Sequence, residues 1–348
     1  MPSRAILIRA DASAEIGAGH VMRCLALAKA WQSTGGSATY LMAECFPAIE
    51  ERLVREGVTV SRITAAPATP ADAQQTAAEA TRVNASWLVV DGYRFAPDYL
   101  RRLKAAGLRI LFLDDDGRFD FYPADVVLNQ NISADRKMYE KRDRLTRLLL
   151  GPEYVLLRPE FLAETKAREH PAIARKVLVT MGGSDPDNVT GKVLAALTSL
   201  GSDIEGRVVV GSGNPWHADL QALTERLVPK VKLARSPENM APLMRWADVA
   251  ISGAGSTYWE LAHMGLPAIV IAYSADQEDI AKILAERENA ISLGWHANLS
   301  EEQVSDALLR LLNDYERRCA MSERGRKLVD GQGAARVVKF LQTQYETR

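Results

Sequence analysis

Short apolar runs alternate with helical patterns along this chain, and the alternation limits the folds that it can adopt. In the first half, apolar strands are predicted at Ala5–Arg9, Ala38–Met42, 87–90 and Leu108–Leu113, with a helix between each pair. Strands that are apolar on both faces and separated by helices indicate a parallel sheet covered on both sides. The same pattern begins again at Lys176–Thr180. We therefore predict an α/β chain with two Rossmann-like domains.

The boundary between the two domains is predicted near residues 151–176, where prolines and charged residues interrupt the alternation. A length of 348 residues agrees with two domains of ordinary size. The predicted domains are 1–158 and 159–348, and the last helix, Ala334–Tyr345, is able to cross back to the first domain. Two such domains in tandem leave a central cleft between the carboxyl ends of their strands.

Charge and composition exclude several classes of protein. The formal net charge is −1, so bulk charge does not support nucleic-acid binding. No apolar run is long enough to span a membrane, and the first residues lack the apolar core of a signal peptide. The three cysteines are widely spaced and match neither a zinc site nor a disulfide framework. We expect a cytoplasmic, monomeric protein without a metal.

A glycine-rich turn follows the first predicted strand and contains the first candidate catalytic residue. Gly17 and Gly19 bracket one residue and permit a sharp turn, and His20 follows directly at the start of a helix. Backbone N–H groups at a helix N-terminus favour an anion, and histidine can move a proton near neutral pH. An ordinary turn followed by a surface histidine is the alternative reading of the same residues.

Polar residues follow the ends of the predicted strands in the first half of the chain. Asp11 follows the first strand, Asp91 and Tyr93 follow the strand at 87–90, and Asp114–Asp116 follow the next one. Ligands of open parallel sheets bind at this edge, so a binding site is expected there. The run Asp114–Asp116 could hold a divalent cation, but we expect it to be a solvated loop.

The second half contains two further glycine-rich turns. In the turn 252–257, the candidate phosphate-binding residues are Gly253, Gly255, Ser256 and Thr257. Glu260 has two interpretations, as the partner of Thr257 in a helix capping box or as an acceptor for a ribose hydroxyl.

The turn at 181–188 predicts a helix with Asp185 as its N-cap and Pro186 as its first residue. This turn could present Ser184 or Asn188 to a ligand. A further capping box, Ser300 with Gln303, predicts the start of a later helix. In the first half, Asp72 is the predicted start of a helix over 72–83.

Taken together, these stretches resemble the family of UDP-sugar hydrolases of pseudaminic acid biosynthesis, which act on UDP-2,4-diacetamido-2,4,6-trideoxy-β-L-altropyranose. The second half also resembles the UDP-binding half of the N-acetylglucosaminyltransferase that makes lipid II. The matching stretches are 9–13, 16–24, 91–93, 113–115, 128–131, 181–185 and 252–257 with Glu260. At 91–93 this chain reads Asp-Gly-Tyr where the family has Asp-His-Tyr, so no role for that histidine is carried over.

The resemblance implies a GT-B-like fold and hydrolysis of the C1–O bond of a UDP-sugar with anomeric inversion. It implies that His20 is the base and that no cofactor takes part. The expected partner is a small-molecule UDP-sugar, with no nucleic acid and no membrane. The residues expected to bind the substrate are Asp11, Gly17, Gly19, Tyr93, Asn188, Gly253, Gly255, Ser256, Thr257, Glu260 and Gln277. The alternatives are a GT-B glycosyltransferase, a related hydrolase that acts on a different diacetamido UDP-sugar, and a non-catalytic UDP-sugar-binding protein.

Overall fold

The computed structural model describes residues 5–13, 16–164, 166–183, 185–200, 203–211, 213–227 and 230–344. The chain divides into two compact units, Met1–Pro159 with Gly331–Arg348, and Glu160–Asp330. Among the described helices, none is both long and apolar enough to cross a membrane.

The first unit is built on a seven-stranded sheet in which every neighbouring pair is parallel. Its strands are β1 (Ala5–Arg9), β2 (Ser37–Met42), β3 (Thr59–Arg62), β4 (Ala85–Asp91), β5 (Ile110–Leu113), β6 (Val126–Asn129) and β7 (Arg147–Leu150). The spatial order is β3-β2-β1-β4-β5-β6-β7, so the order reverses between β1 and β4. Ile6 and Ile8 pack on one face of the sheet and Leu7 on the other. Because both faces are covered, this strand is apolar throughout.

The second unit has a six-stranded sheet that is also parallel at every pair. Its strands are β8 (Lys176–Thr180), β9 (Glu205–Val210), β10 (Val231–Arg235), β11 (Val249–Gly253), β12 (Ala268–Ala272) and β13 (Ile291–Trp295). The order is β10-β9-β8-β11-β12-β13, and it reverses between β8 and β11. The two units therefore share one topology, in which ligands bind beside the strands where the order reverses.

Helices connect the parallel strands. They are α1 (Gly19–Ser33), α2 (Pro47–Arg55), α3 (Pro70–Arg82), α4 (Pro97–Ala105), α5 (Pro159–Leu162), α6 (Val189–Thr198), α7 (His217–Leu227), α8 (Ala241–Trp246), α9 (Ser256–His263), α10 (Ala275–Glu286), α11 (Glu301–Asn313), α12 (Tyr315–Leu328) and α13 (Gly333–Thr343). Short 3₁₀ helices lie at Arg136–Tyr139, Pro152–Tyr154 and His296–Asn298. The capping box of Ser300 and Gln303 at the start of α11 is confirmed.

Two predicted helix starts are wrong, and each error has a local cause. We expected a helix from Asp72, but α3 begins at Pro70 with Thr69 as its N-cap. Asp72 is fully buried instead, and its Oδ2 lies 2.7 Å from Arg9 Nη2. We expected Asp185 to be the N-cap of α6, but the N-cap is Asn188, whose φ of +50° is left-handed.

Among the described strands and α-helices, four were not predicted from the sequence, namely β7, β13, α5 and α7. The sheet edge strand β7 is only four residues long and begins at a charged residue. The other edge strand, β13, contains Gly294 and is only partly buried. Edge strands lack the continuous burial that makes a central strand recognisable as an apolar run.

The last helix packs within the first unit. In α13, Val337 and Leu341 belong to the same apolar core as the inner face of α1. Gln342 Nε2 donates to Thr34 Oγ1 at 2.8 Å, and Trp87 Nε1 donates to Leu341 O at 3.2 Å.

Candidate active site

The turn after β1 brings His20 to the edge of the first sheet. Gly17 has a φ of +69°, and its N–H donates to Ser13 O at 2.8 Å, which closes the turn. A Cβ added at Gly17 or Gly19 would meet no atom within 4 Å, so there is open space beside the turn. His20 is the second residue of α1 and is buried, rather than the surface histidine of the alternative reading.

His20 is paired with Asp91, the last residue of β4. The distance between His20 Nδ1 and Asp91 Oδ1 is 2.8 Å, and Asp91 is fully buried. Because β4 is the neighbour of β1, a residue 71 positions away reaches the histidine. Burial alone would raise the pKa of the Asp91 carboxyl, but the charges and hydrogen bonds of Arg23 and His20 outweigh it and hold this pKa well below its usual range. An ionised carboxylate only accepts, so Nδ1 is the nitrogen that carries a proton in this contact, and the neutral imidazole then has its lone pair on Nε2.

Arg23, one turn after His20 on α1, clamps the same carboxylate. Its Nε donates to Asp91 Oδ2 at 2.7 Å and its Nη2 donates to Asp91 Oδ1 at 2.6 Å. Its Nη1 donates to Asp115 Oδ1 at 2.7 Å. Burial opposes its charge, yet Asp115 and Asp91 raise the pKa of Arg23 well above its usual value. We call His20, Arg23, Asp91, Tyr93 and Asp115 the His20 cluster.

Tyr93 packs against the imidazole of His20 and is itself partly exposed. The two rings meet edge to face with centroids 4.7 Å apart, and Tyr93 is 46% exposed. The guanidinium carbon of Arg118 lies 5.2 Å from the centroid of the Tyr93 ring, and Arg118 Nη2 donates to Tyr93 O. Tyr93 is thus placed where a ligand of His20 could touch it.

Asp11 lies two residues after β1, and its side chain binds the loop that follows β2. Its Oδ1 accepts hydrogen bonds from Ala43 N at 2.8 Å and Glu44 N at 3.1 Å, and lies 2.7 Å from Arg9 Nη1. These contacts hold together the segments after β1 and β2. A role for Asp11 in binding the substrate stays a prediction.

The expectation of a solvated loop at 114–116 is wrong. Asp114 is only 6% exposed, and its Oδ2 accepts hydrogen bonds from Tyr139 Oη at 2.8 Å and Gly117 N at 2.9 Å. Burial is the main reason that the pKa of Asp114 rises to about 6. Within the described part of the chain, no group of three or more His, Cys, Asp or Glu side chains is arranged to hold a metal ion.

In the second unit, the turn 252–257 joins β11 to α9. The helix begins at Ser256 with Gly255 as N-cap, and no side chain caps it. Thr257 is therefore inside the helix, and the capping box of Thr257 and Glu260 is wrong. Gln277, on α10, supports the turn, because its Oε1 accepts a hydrogen bond from Ala254 N at 3.2 Å.

The two glycines of this turn have different surroundings. A methyl group at Gly253 would overlap Tyr273 Cε1 and lie 3.1 Å from its Cζ. At Gly255 the nearest atom would be Gln277 Nε2 at 3.5 Å, an ordinary contact. Gly253 is therefore required by the packing of Tyr273, which gives it a structural reason that the sequence did not reveal.

The side chain of Asn188 caps the N-terminus of its own helix, α6. Its Oδ1 accepts a hydrogen bond from Gly191 N at 3.1 Å. Asp185 accepts from Val189 N at 2.8 Å and Thr190 N at 2.9 Å, so it also satisfies the first turn of α6. Ser184 lies outside the described residues. Binding of a ligand by Asn188 stays a prediction.

The sequence placed Asp91 and Asp115 at the edge where a binding site was expected but gave them no role, and it did not single out Arg23. Two signals were available. Arg23 lies three residues after His20, a spacing that places both on one face of a helix. Asp91 and Asp115 follow strands of the same sheet, but their meeting depends on the strand order, which the sequence does not state.

Comparisons with known proteins identify relatives of the whole chain and of its second half. The family model of the glycosyltransferase family 28 C-terminal domain matches residues 177–336. Over 240 residues the chain is 32% identical to the spore coat polysaccharide biosynthesis protein SpsG of Bacillus subtilis (strain 168), which covers 68% of this chain and 70% of that protein. The chain belongs to the SpsG family.

Two further similarities bear on this SpsG-family protein. It is 26% identical over 294 residues to the UDP-2,4-diacetamido-2,4,6-trideoxy-β-L-altropyranose hydrolase of Campylobacter jejuni subsp. jejuni serotype O:2, covering 81% of this chain and 96% of that protein. The crystal structure of MurG from Acinetobacter baumannii matches with a TM-score of 0.67 at 17% identity, over 97% of this chain and 99% of that one. The structural match and the two parallel sheets confirm the predicted GT-B-like α/β fold.

Proposed function

We propose that this protein hydrolyses the C1–O bond of a UDP-sugar, releasing UDP and the free sugar with inversion at C1. The observation that carries the proposal is the 2.8 Å contact between His20 Nδ1 and Asp91 Oδ1. The similarity to a UDP-2,4-diacetamido-2,4,6-trideoxy-β-L-altropyranose hydrolase over 81% of the chain supports the reaction and this substrate. The product would then be the free 2,4-diacetamido-2,4,6-trideoxyhexose, an intermediate of pseudaminic acid biosynthesis.

His20 is the base of the proposed reaction. Its Nε2 accepts a proton from a water molecule while the water oxygen bonds to C1 of the sugar. The C1–O bond to the diphosphate breaks, and UDP leaves with the electron pair of that bond. The buried carboxylate of Asp91 stabilises the imidazolium that results. A single displacement by water inverts the anomeric centre, since no covalent intermediate with the enzyme forms.

The second unit is proposed to hold the nucleotide. Backbone N–H groups at Gly255, Ser256 and Thr257 lie at the start of α9, where the helix dipole favours a diphosphate. Glu260, on the same helix, is proposed to accept hydrogen bonds from the ribose, and the match of this half to the glycosyltransferase family 28 C-terminal domain supports that role. No cofactor is needed for these steps.

A GT-B glycosyltransferase is the second candidate, and the family 28 C-terminal domain favours it. A transferase leaves a UDP-sugar almost intact when no acceptor is present. A hydrolase releases UDP from it at once.

The test is to incubate the protein with a panel of UDP-diacetamido sugars and UDP-N-acetylglucosamine, without acceptor and with EDTA, and to follow the products by mass spectrometry. We expect free diacetamido sugar and UDP from at least one substrate, and at least a hundredfold slower release with His20→Asn. Binding without product, measured by calorimetry, would identify a UDP-sugar-binding protein instead. Activity that EDTA abolishes and magnesium restores would contradict a reaction without a metal.

A further inference from the structure

Behind His20 lies a row of alternating charges, formed by Asp91, Arg23 and Asp115, and the proposed reaction uses only the first of them. Asp91 Oδ1 accepts from both His20 Nδ1 and Arg23 Nη2, and Asp91 Oδ2 accepts from Arg23 Nε. The thiol of Cys24 donates to Asp91 Oδ2 at 3.3 Å. Both oxygens of Asp91 are thus held, although a carboxylate on its own turns readily about its last torsion.

Arg23 fixes the plane of the Asp91 carboxylate. Its planar guanidinium donates one hydrogen bond to each oxygen of Asp91, at 2.6 and 2.7 Å. A lysine cannot provide this bidentate geometry. Since Asp91 Oδ1 also accepts from His20, the direction of the imidazole depends on the orientation of Arg23.

Asp115 holds Arg23 from the other side. Asp115 Oδ1 accepts from Arg23 Nη1 at 2.7 Å, and Asp115 Oδ2 accepts from Arg23 Nη2 at 3.0 Å. The loop of Asp115 is itself tied down, because Asn131 Nδ2 donates to Asp115 O at 3.1 Å. Arg23 therefore lies between two carboxylates, each in contact with two of its nitrogen atoms.

We propose that Arg23 and Asp115 are positioning residues for His20: Asp115 orients Arg23, Arg23 orients Asp91, and Asp91 presents Nε2 of His20 as the base. This inference rests on the proposed hydrolysis. Neither residue needs to touch the substrate.

The second carboxylate also sets the charge around the histidine. The groups that face this part of the site are Arg23, Cys24, Asp91, Tyr93 and Asp115, with Arg118 behind Tyr93. Arg118 is paired with Asp116, so the two carboxylates of Asp91 and Asp115 against the guanidinium of Arg23 leave a surplus negative charge. A proton taken up by His20 neutralises this charge. Without the charge of Asp115, the same proton transfer would create an uncompensated positive charge, which costs free energy in a buried site.

The test compares Asp115→Asn and Arg23→Lys with Asp116→Asn in the same loop. Asp116 pairs with Arg118 at 3.9 Å, so its variant removes the same charge without touching Arg23. We expect kcat to fall about tenfold in Asp115→Asn and about 100-fold in Arg23→Lys, with KM changed less than twofold. Asp116→Asn keeps the kcat of the wild type.

The pH profile separates positioning from a general loss of structure. In Asp115→Asn, we expect the acid limb of kcat/KM to move to lower pH by roughly 0.5–1 unit, because a negative charge near the base is gone. A variant that is only partly unfolded would lose activity at every pH without moving the limb. A profile that superimposes on that of the wild type would overturn the proposal.

A second readout does not depend on activity. Nitrogen-15 NMR of histidine-labelled protein, with the His20 signals assigned from His20→Gln, shows which ring nitrogen carries the proton. We expect the proton on Nδ1 in the wild type and a mixture of both tautomers in Asp115→Asn. Unchanged spectra in Asp115→Asn would refute the positioning role even if the wild type hydrolyses UDP-sugars. A changed spectrum in a protein that hydrolyses none would refute the proposed function alone.

Discussion

The unfolding free energy of the first unit is expected to depend on pH through the buried carboxyl of Asp114. The pKa of its buried carboxyl is about 6, whereas an unfolded aspartate has a pKa of about 3.9. Because the folded pKa is the higher one, the favourable contribution is complete below pH ~3.9 and is lost as the pH rises through about 6. A difference of roughly two pKa units corresponds to about 3 kcal/mol of unfolding free energy.

Asp114→Asn removes this titration and keeps an oxygen that can accept from Tyr139 Oη or Gly117 N. We expect the unfolding free energy of the variant to equal that of the wild type within ~1 kcal/mol at pH 4. At pH 7.5 we expect it to be higher by up to about 3 kcal/mol. The assay is amide hydrogen exchange of β5 and β6 between pH 4 and 7.5, which reports on the first unit alone. Asp98→Asn, at an exposed carboxylate on α4, is the control. If the difference in unfolding free energy between Asp114→Asn and the wild type stays constant from pH 4 to 7.5, the titration of Asp114 does not contribute to stability.

Three further predictions concern the proposed site. His20→Asn lowers kcat by ~10²–10⁴-fold and leaves the affinity for UDP unchanged, measured by turnover and calorimetry; turnover within threefold of wild type would remove His20 from the mechanism. Glu260→Gln weakens UDP binding by about ten- to a hundredfold at an unchanged Tm, because the ribose loses a charged acceptor; undiminished affinity would exclude that role. Gly253→Ala lowers the unfolding free energy of the second unit by ~1–3 kcal/mol, because the added methyl group overlaps Tyr273. Gly255→Ala changes it by less than about 1 kcal/mol, and equal losses in the two variants would contradict the packing argument.

The sequence predicted the central strands and most helices correctly, because continuous burial leaves an apolar run that can be read directly. It failed at β7 and β13, which lie at the sheet edges and are only partly buried. At α6, Pro186 suggested the first helical position, but the chain makes a left-handed turn at Asp185 and Asn188 before the helix begins. Such a turn depends on hydrogen bonds that Asp185 accepts from the first backbone N–H groups of α6, which helix propensity does not describe.

His20 could be singled out from the sequence, but its partners could not. Asp91 is 71 residues away and Asp115 is 92 residues from Arg23, so both contacts require the neighbour relations of β1, β4 and β5. The run at 114–116 was misjudged for the same reason, since the tyrosine hydroxyl that satisfies Asp114 comes from residue 139. Composition predicts that a triple aspartate is solvated, and only the packed structure shows the buried partners.

In the proposed reaction, water activated by His20 attacks C1 of a UDP-sugar. The most direct measurement is hydrolysis of UDP-2,4-diacetamido-2,4,6-trideoxy-β-L-altropyranose in water enriched in oxygen-18, with mass spectrometry of the released UDP after the first turnovers. Attack at C1 leaves UDP free of the label, since the C1–O bond breaks and the bridging oxygen stays with the phosphate. Oxygen-18 in the β-phosphate of UDP would show attack at phosphorus and would contradict the account.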